Sequence, residues 1–462
     1  MKKVFENLIN NIPDYKEFLT VDEMDESSRK LAEKYPDTVE LFEMGRTRDD
    51  HPLLCLKIGS GKHNALMFGC PHPNEPIGTM LLEHFTWQLA ENEELRSELD
   101  YTWYIVKSWD ADGTKLNENW FKGPYTIRNY ARNFFRPAGF KQVDWTFPID
   151  YKDLHFHNSI PETKAMMELI DKVQPKFIYS LHNAGFGGVY WYLTHETKEI
   201  YDEMYNAAAK QDIPLNLGEP EAPYCVTLAP AIYKELSIKD NYDYLEKYGA
   251  KNIGTLISAG DCSAEYARER WGSFTMLTEL PYFYDERIKD LSDSDMLRKD
   301  AALESLDYDA ASNKVIKDIM NISLEYIPEE SPFRLALKAF TRDDTKEATR
   351  NMIMTNPDFQ KPATVAEKFD NLLIKKFYKM LSFGMLVRMN ETELNSMNAA
   401  GESDEVKKAA LSKAMDDALV EFNKLADYLE ENINYQVVPI KKLVSIQLEC
   451  GMIMADYLKK TF

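Results

Sequence analysis

His72 and Glu75 stand three residues apart in Cys70-Pro71-His72-Pro73-Asn74-Glu75-Pro76, a loop stiffened by three prolines. The apolar run Ala65 to Phe68 before it reads as a short buried strand ending at Gly69, and Met80 to Phe85 begins a helical pattern. Pro76 suits a first helical turn, where amides lack intrahelical acceptors anyway. Both side chains therefore sit at the carboxyl end of a strand, the edge of an open α/β sheet where ligands bind. An imidazole and a carboxylate so placed can reach one point in space, as two ligands of one metal ion must. A second strand, Lys176 to Leu181, runs into His182 and the turn Asn183 to Gly188, repeating the arrangement. Thr278-Glu279-Leu280 ends a third such run with another carboxylate. Two histidines and one carboxylate with an open fourth position form a set used by catalytic zinc. A carboxylate left over can take a proton from water and pass it to a leaving group.

Spacing alone leaves the bland alternative open, since a histidine at a strand end is often a hydrogen-bonded core residue. Other chemistries have less support. The chain has no G-x-S-x-G elbow, and no base is identified for Cys262 as a nucleophile. Gly59-Ser60-Gly61 lacks the GKS/T and the helix of a phosphate loop and reads as a turn. His155 and His157 fit a surface loop better than a metal pair, and His51, His63, His84 and His195 show no partner pattern.

The elements that must hold these residues alternate. Thr20-Val21-Asp22-Glu23 is a capping box that opens a helix over 21–34. Strands are expected at 39–44, 53–58, 101–106, 189–193, 254–259 and 273–280, with helices over 161–173 and 198–210. The segment 114–158 reads as a long loop, and loops of that length inside a domain are usually functional. This pattern is an α/β sheet with helices on both faces. Strand signals stop near Asp290. Helices then follow over 296–326, from Val365 after the capping box Thr364-Val365-Ala366-Glu367, over 406–429 and over 444–458. A Pro-Glu-Glu-Ser-Pro seam divides the chain into a catalytic domain, 1–328, and an all-α C-terminal domain, 329–462.

The net charge is -21, of which -2 falls on residues 329–462 and -19 on the first 328. An acidic catalytic half disfavours polyanionic substrates, and nucleic acid is not expected as a partner. No run approaches the roughly 18 apolar residues that span a bilayer, so no membrane partner is expected. Five cysteines without a CxxC pair read as reduced thiols, and the expected location is the cytoplasm.

Taken together, His72-Pro73-Asn74-Glu75, Arg132-Asn133, His182 after a strand and Thr278-Glu279-Leu280 resemble, in that order, the M14 family of zinc carboxypeptidases. Phe18 to Glu23, Gly45-Arg46-Thr47 and Pro161-Glu162-Thr163 extend the resemblance over 15–325. It implies a carboxypeptidase-like mixed sheet and one Zn2+ per chain held by His72, Glu75 and His182, with Glu279 as general base and later acid. It also implies an arginine polarising the scissile carbonyl, for which Arg128 is the candidate and Lys122 a weaker one. Arg132, with Asn133, matches the clamp for a substrate's terminal carboxylate, and Ala264 and Glu265 fall at the side-chain pocket. Two positions depart from the family pattern. Ala131 stands where an asparagine precedes the clamping arginine, and Thr255 or Leu256 where a mobile tyrosine covers the substrate. The implied activity is hydrolysis of a peptide or peptide-like amide. An amidase or deacylase acting on muropeptides or N-acyl amino acids is the rival within the fold. A metal-binding scaffold with a partner-binding tail is the rival of another class. The tail itself could cover the site, pair two subunits as a homo-oligomer, or bury a sheet edge.

Overall fold

Strands whose side chains are apolar on both faces need cover on both sides, and this decides the architecture. The computed structural model describes residues 2–461. Its strands are β1 (Val39–Arg46), β2 (Pro52–Ile58), β3 (His63–Phe68), β4 (Tyr101–Val106), β5 (Ile149–Tyr151), β6 (Leu154–Phe156), β7 (Phe177–Leu181), β8 (Tyr190–Leu193), β9 (Thr227–Ala229), β10 (Ile232–Lys234) and β11 (Phe274–Glu279). Apart from the β5–β6 hairpin, these nine strands form one mixed sheet in the order β1-β2-β4-β3-β7-β11-β8-β10-β9. The centre, β4-β3-β7-β11, is parallel, with antiparallel pairs on either side.

Every residue of β7 is buried, and its side chains alternate between two cores. Phe177, Tyr179 and Leu181 join one core, and Ile178 joins the other. The first core takes in α2 (Ile77–Glu91), and the second takes in α4 (Pro161–Val173) and α5 (Ser263–Trp271). Helix α1 (Val21–Lys34) starts at the expected capping box, in which Thr20 accepts from the Glu23 amide and Glu23 from the Thr20 amide. Between β4 and β7 lies α3 (Ile127–Asn133), capped by Thr126. The segment 114–158 is thus no loop, but its helix and hairpin are too short to show a period. Residues 254–259 are not a strand, since Ile253–Leu256 forms a single helical turn.

Strands do not stop at Asp290: Phe283–Tyr284 pairs with Gln436–Val437 and Asp293–Leu297 with Pro362–Thr364. After β11 the chain is nevertheless mainly helical, with α6 (Arg298–Ser323), α7 (Lys375–Ala400), α8 (Glu405–Asn432) and α9 (Ile440–Leu458) as its long elements. They share the first core with the sheet. Helix α9 lies on the sheet, with Tyr101 Oη donating to the Ala455 carbonyl at 3.0 Å. Helix α7 crosses α3 so closely that a Cβ on Gly384 would sit 2.0 Å from the Ala131 carbonyl oxygen. Arg388, on the next turn of α7, donates to the carbonyls of Leu116, Asn133 and Phe134 and satisfies the end of α3. Among the described residues no helix is long and apolar enough to cross a membrane.

The α7–α3 contact has a measurable consequence. Gly384→Ala places its methyl group against backbone that has no room to move, and should lower stability by about 2–3 kcal/mol in urea melts.

Candidate metal centre

Three adjacent parallel strands end at this site. Phe68 of β3 pairs with Ser180 of β7, and Leu181 of β7 with Thr278 of β11. The next residues along each strand therefore leave the sheet side by side, and they lead to His72, His182 and Glu279. The loop after β3 is tied to its neighbour: Trp109 N donates to the Gly69 carbonyl and Asp110 N to that of Cys70. Cys70 takes a left-handed conformation, φ +47°, which turns the chain toward β7. Gly78 then lets α2 approach, since a Cβ there would lie 2.3 Å from the Cβ of Leu181. Asn183 locks the two strand ends together. Its Oδ1 accepts from the Ile77 amide at 3.0 Å, and its own amide donates to Glu75 Oε2 at 3.3 Å. Tyr282 adds a bond from Oη to the Asn74 carbonyl at 2.9 Å.

His72 Nδ1 and His182 Nδ1 face each other at 3.2 Å. Glu75 Oε2 is 3.1 Å from the first and 3.0 Å from the second. Two atoms bound tetrahedrally at zinc distances of about 2.0–2.1 Å would be about 3.3 Å apart, so the three donors fit one ion. The ring orientations agree. Ser180 Oγ lies 2.7 Å from His182 Nε2, so that ring nitrogen has its own partner and Nδ1 is the one turned to the other two donors. All three residues are buried, and no other group of three His, Cys, Asp or Glu among the described residues converges in this way. Burial, reinforced by the Arg136 charge, pushes His72 down to about 3, so its imidazole is neutral at ordinary pH. Burial alone would raise Glu75, but the hydrogen bonds of the two imidazoles hold its carboxyl well below the usual range. A neutral imidazole and an ionised carboxylate are the forms a metal takes.

Glu279 lies 3.7 Å from His182 Nδ1, outside the ligand triangle, and is buried. Desolvation, then the charges of Glu75 and Glu221, raise its pKa well above the ordinary value despite Arg136.

The arginines separate. Helical spacing puts Arg128 and Arg132 on one stripe of α3, and that stripe faces the C-terminal helices. Arg128 is held by Glu430 (2.7 and 3.1 Å), Asp427 (2.5 Å) and Asn423 (3.1 Å) of α8, so it is not brought to the metal ligands. Arg132 pairs with Glu391 of α7 at 2.9 Å. Asn133 bonds within its own helix to Asn129. Lys122 is engaged by Glu23 and the Phe18 carbonyl. Arg136 is the one that arrives, with Nη1 3.3 Å from Glu75 Oε1. It lies past the end of α3, after Phe134 has left the helix, so the four-residue spacing that continues from Arg128 and Arg132 does not carry it onto their stripe. Ala264 is buried in the first turn of α5, and Glu265 is spent on Arg268 at 2.7 and 2.8 Å. His155 and His157 are exposed and share Asp150.

Two further features were not visible from the sequence. Tyr378 of α7 has an exposed ring, yet its hydroxyl is enclosed and donates to the Phe186 carbonyl at 3.4 Å. Desolvation, with Glu221, Asp370 and Glu279 nearby, keeps that phenol protonated. Near Ala264, three carboxylates gather without an ion pair among the described residues. Asp144 Oδ1 accepts from Ser263 N at 2.7 Å, Asp261 Oδ1 from Cys262 N at 3.1 Å, and Glu235 Oε2 is buried with no partner.

The zinc carboxypeptidase family model matches residues 24–285, and the chain belongs to that family. Mast cell carboxypeptidase A of Rattus norvegicus is 28% identical over 114 residues, which are 23% of this chain and 27% of the relative. The chain thus spans about a quarter of the length of the curated relatives it matches. Among solved structures, carboxypeptidase A from Helicoverpa armigera aligns with a TM-score of 0.35 and 13% identity, over 61% of this chain and 71% of that one. A metallo-carboxypeptidase from Burkholderia cenocepacia aligns at 0.33 and 12%, over 73% and 70%.

The unpaired carboxylates make stability depend on pH. Desolvation raises Asp144 to about 6, with the Ser263 bonds opposing it, so the folded chain holds this proton more tightly than the unfolded one. Stability therefore falls as pH rises from about 4 to about 6 and stays lower above. Asp144→Asn keeps the acceptor oxygen and should stabilise the fold by about 1–3 kcal/mol at pH 7.5 in urea melts. At pH 4.5 the gain should shrink to less than half.

Proposed function

We propose that this chain is a zinc-dependent peptidase of the carboxypeptidase type. The observation that carries the reading is the meeting of His72 Nδ1, His182 Nδ1 and Glu75 within 3.2 Å, beside a buried carboxylate that is not one of the three. His72, Glu75 and His182 would hold one Zn2+. Zinc in such a site supplies a Lewis acid and brings the pKa of a water toward 7.

The chain's own groups account for the rest of the chemistry. Glu279 takes the proton of the attacking water and returns it to the leaving nitrogen, a role its buried place 3.7 Å from His182 Nδ1 and outside the three donors suits. Arg136 faces the same point and stabilises charge developing on the carbonyl oxygen. This role passes to it from Arg128. Arg132 would reach a terminal carboxylate only by exchanging Glu391 for the substrate. The acidic groups around Asp144, Glu221 and Glu235 favour substrates whose last side chain is basic or neutral over acidic ones.

Three results test the reading. Glu279→Gln should keep stoichiometric zinc and lose about 10²–10⁴-fold in kcat, and full activity with zinc bound would remove the base assignment. Arg136→Ala should lose about 10²–10³-fold in kcat, whereas Arg128→Ala should leave kcat within about twofold. Peptides ending in Lys or Phe with a free carboxylate should be cleaved faster than their amidated forms. Equal rates on both would make the enzyme an amidase.

A further inference from the structure

One helix of the metal centre lies outside residues 24–285, the part that matches the family. Helix α9 sits so close to β7 that a Cβ on Gly451 would lie 2.6 Å from Cε1 of Tyr179. One turn earlier, Gln447 is fully buried among Val444, Ile446 and Leu448. A primary amide in such surroundings is unfavourable unless it is bonded, and here Oε1 has no partner among the described residues while the amide nitrogen is fully used. Its Nε2 donates to the carbonyl oxygens of His182 at 3.1 Å and Thr278 at 3.4 Å. Its own main-chain carbonyl accepts from Tyr179 Oη at 2.7 Å, and that hydroxyl is also 2.7 Å from Thr278 Oγ1.

These two carbonyls stand where the sheet stops. The parallel ladder between β7 and β11 ends with the pair Leu181 and Thr278, so the Thr278 carbonyl and that of His182, one residue further along β7, lie at its open end. One belongs to His182 itself, and the other precedes Glu279. The Gln447 amide therefore spans the ends of the two strands whose separation decides where ligand and base stand relative to each other, beside a longer bond from Asn183 Nδ2 to the Leu280 carbonyl at 3.5 Å.

We propose that Gln447 is a positioning residue of the metal centre, setting the spacing of His182 and Glu279 from the far side of the sheet. The proposal rests on the zinc reading above. Gln447 touches neither metal nor substrate and acts only through the main chain of these two residues. Loss of its amide leaves two buried carbonyls unsatisfied and lets the strand ends part. Ligand geometry and base alignment should suffer, while the substrate cleft keeps its lining.

The test uses the full chain and compares wild type, Gln447→Met, Gln447→Asn and Leu443→Ala. Methionine keeps the volume without the donor, and asparagine keeps an amide too short to reach both carbonyls. Leu443 is buried on α9 and has no part in these bonds, so its variant measures loosening of the helix alone. Zinc affinity is read by competition with a chelating dye, ligand geometry by the visible spectrum of the cobalt(II)-loaded protein, and turnover as separate kcat and KM. Both Gln447 variants should bind zinc about 10–100-fold more weakly, shift the cobalt spectrum and lower kcat with KM within about twofold. Leu443→Ala should melt earlier with zinc affinity and spectrum unchanged. If Gln447→Met does not fold, Gln447→Asn is judged by the same readouts. Wild-type zinc affinity, spectrum and kcat in the Gln447 variant that folds would overturn the proposal, as would an equal loss in Leu443→Ala. Failure of the wild type itself to bind zinc would instead refute the zinc reading.

Discussion

Glu75 places the strictest demand on the fold. It is a carboxylate 2% exposed to solvent, and an ionised group taken out of water costs several kcal/mol unless charge and hydrogen bonds answer it. Two imidazoles, the Arg136 guanidinium and the Asn183 amide supply that answer. They come from three separate stretches of chain, so the strands beneath must deliver them to within about 3 Å of one another. Parallel pairing of β3 with β7 does this, and the small side of α2 at Gly78 lets the two strand ends close. The same crowding that makes Glu75 anionic makes Glu279 reluctant to ionise, although both are buried glutamates a few ångströms apart. The difference lies in their partners. Glu75 has nitrogen on every side, while Glu279 has Glu75 and Glu221 for neighbours.

The C-terminal helices belong to this arrangement rather than standing beside it. Arg388 closes the carbonyls at the end of α3, from which the chain turns toward Arg136. Glu391, Asp427 and Glu430 neutralise the two arginines that α3 points outward. Gln447 bonds the ends of β7 and β11, and Tyr378 bonds the Phe186 carbonyl.

Much of the centre was legible in the sequence because its signals are local. A proline-stiffened loop after an apolar strand, a histidine at a strand end and two capping boxes each need only a few neighbouring residues to be read, and the structure has all of them. The arginines were harder. Three lie within nine positions, and which one turns inward depends on where α3 ends, a boundary decided by Arg388 more than 250 positions away. Residues 254–259 looked like a strand because Ile253, Leu256 and Ile257 are apolar, but their partners are side chains around the β5–β6 hairpin, not a neighbouring strand. Strands β9 and β10, of three residues each, carry too little pattern to stand out. Gln447 did leave a trace, as a lone amide in an apolar stretch, yet only the ladder's end explains it.

The bond from Gln447 to the His182 carbonyl joins residues 265 positions apart. Chains are made from the amino end, so both strand ends at the metal site exist long before the helix that ties them. Contacts over such distances return nothing until a long loop has closed, which places them late in folding. The two strand ends therefore stand unbridged by Gln447 until helix α9 has packed on the sheet.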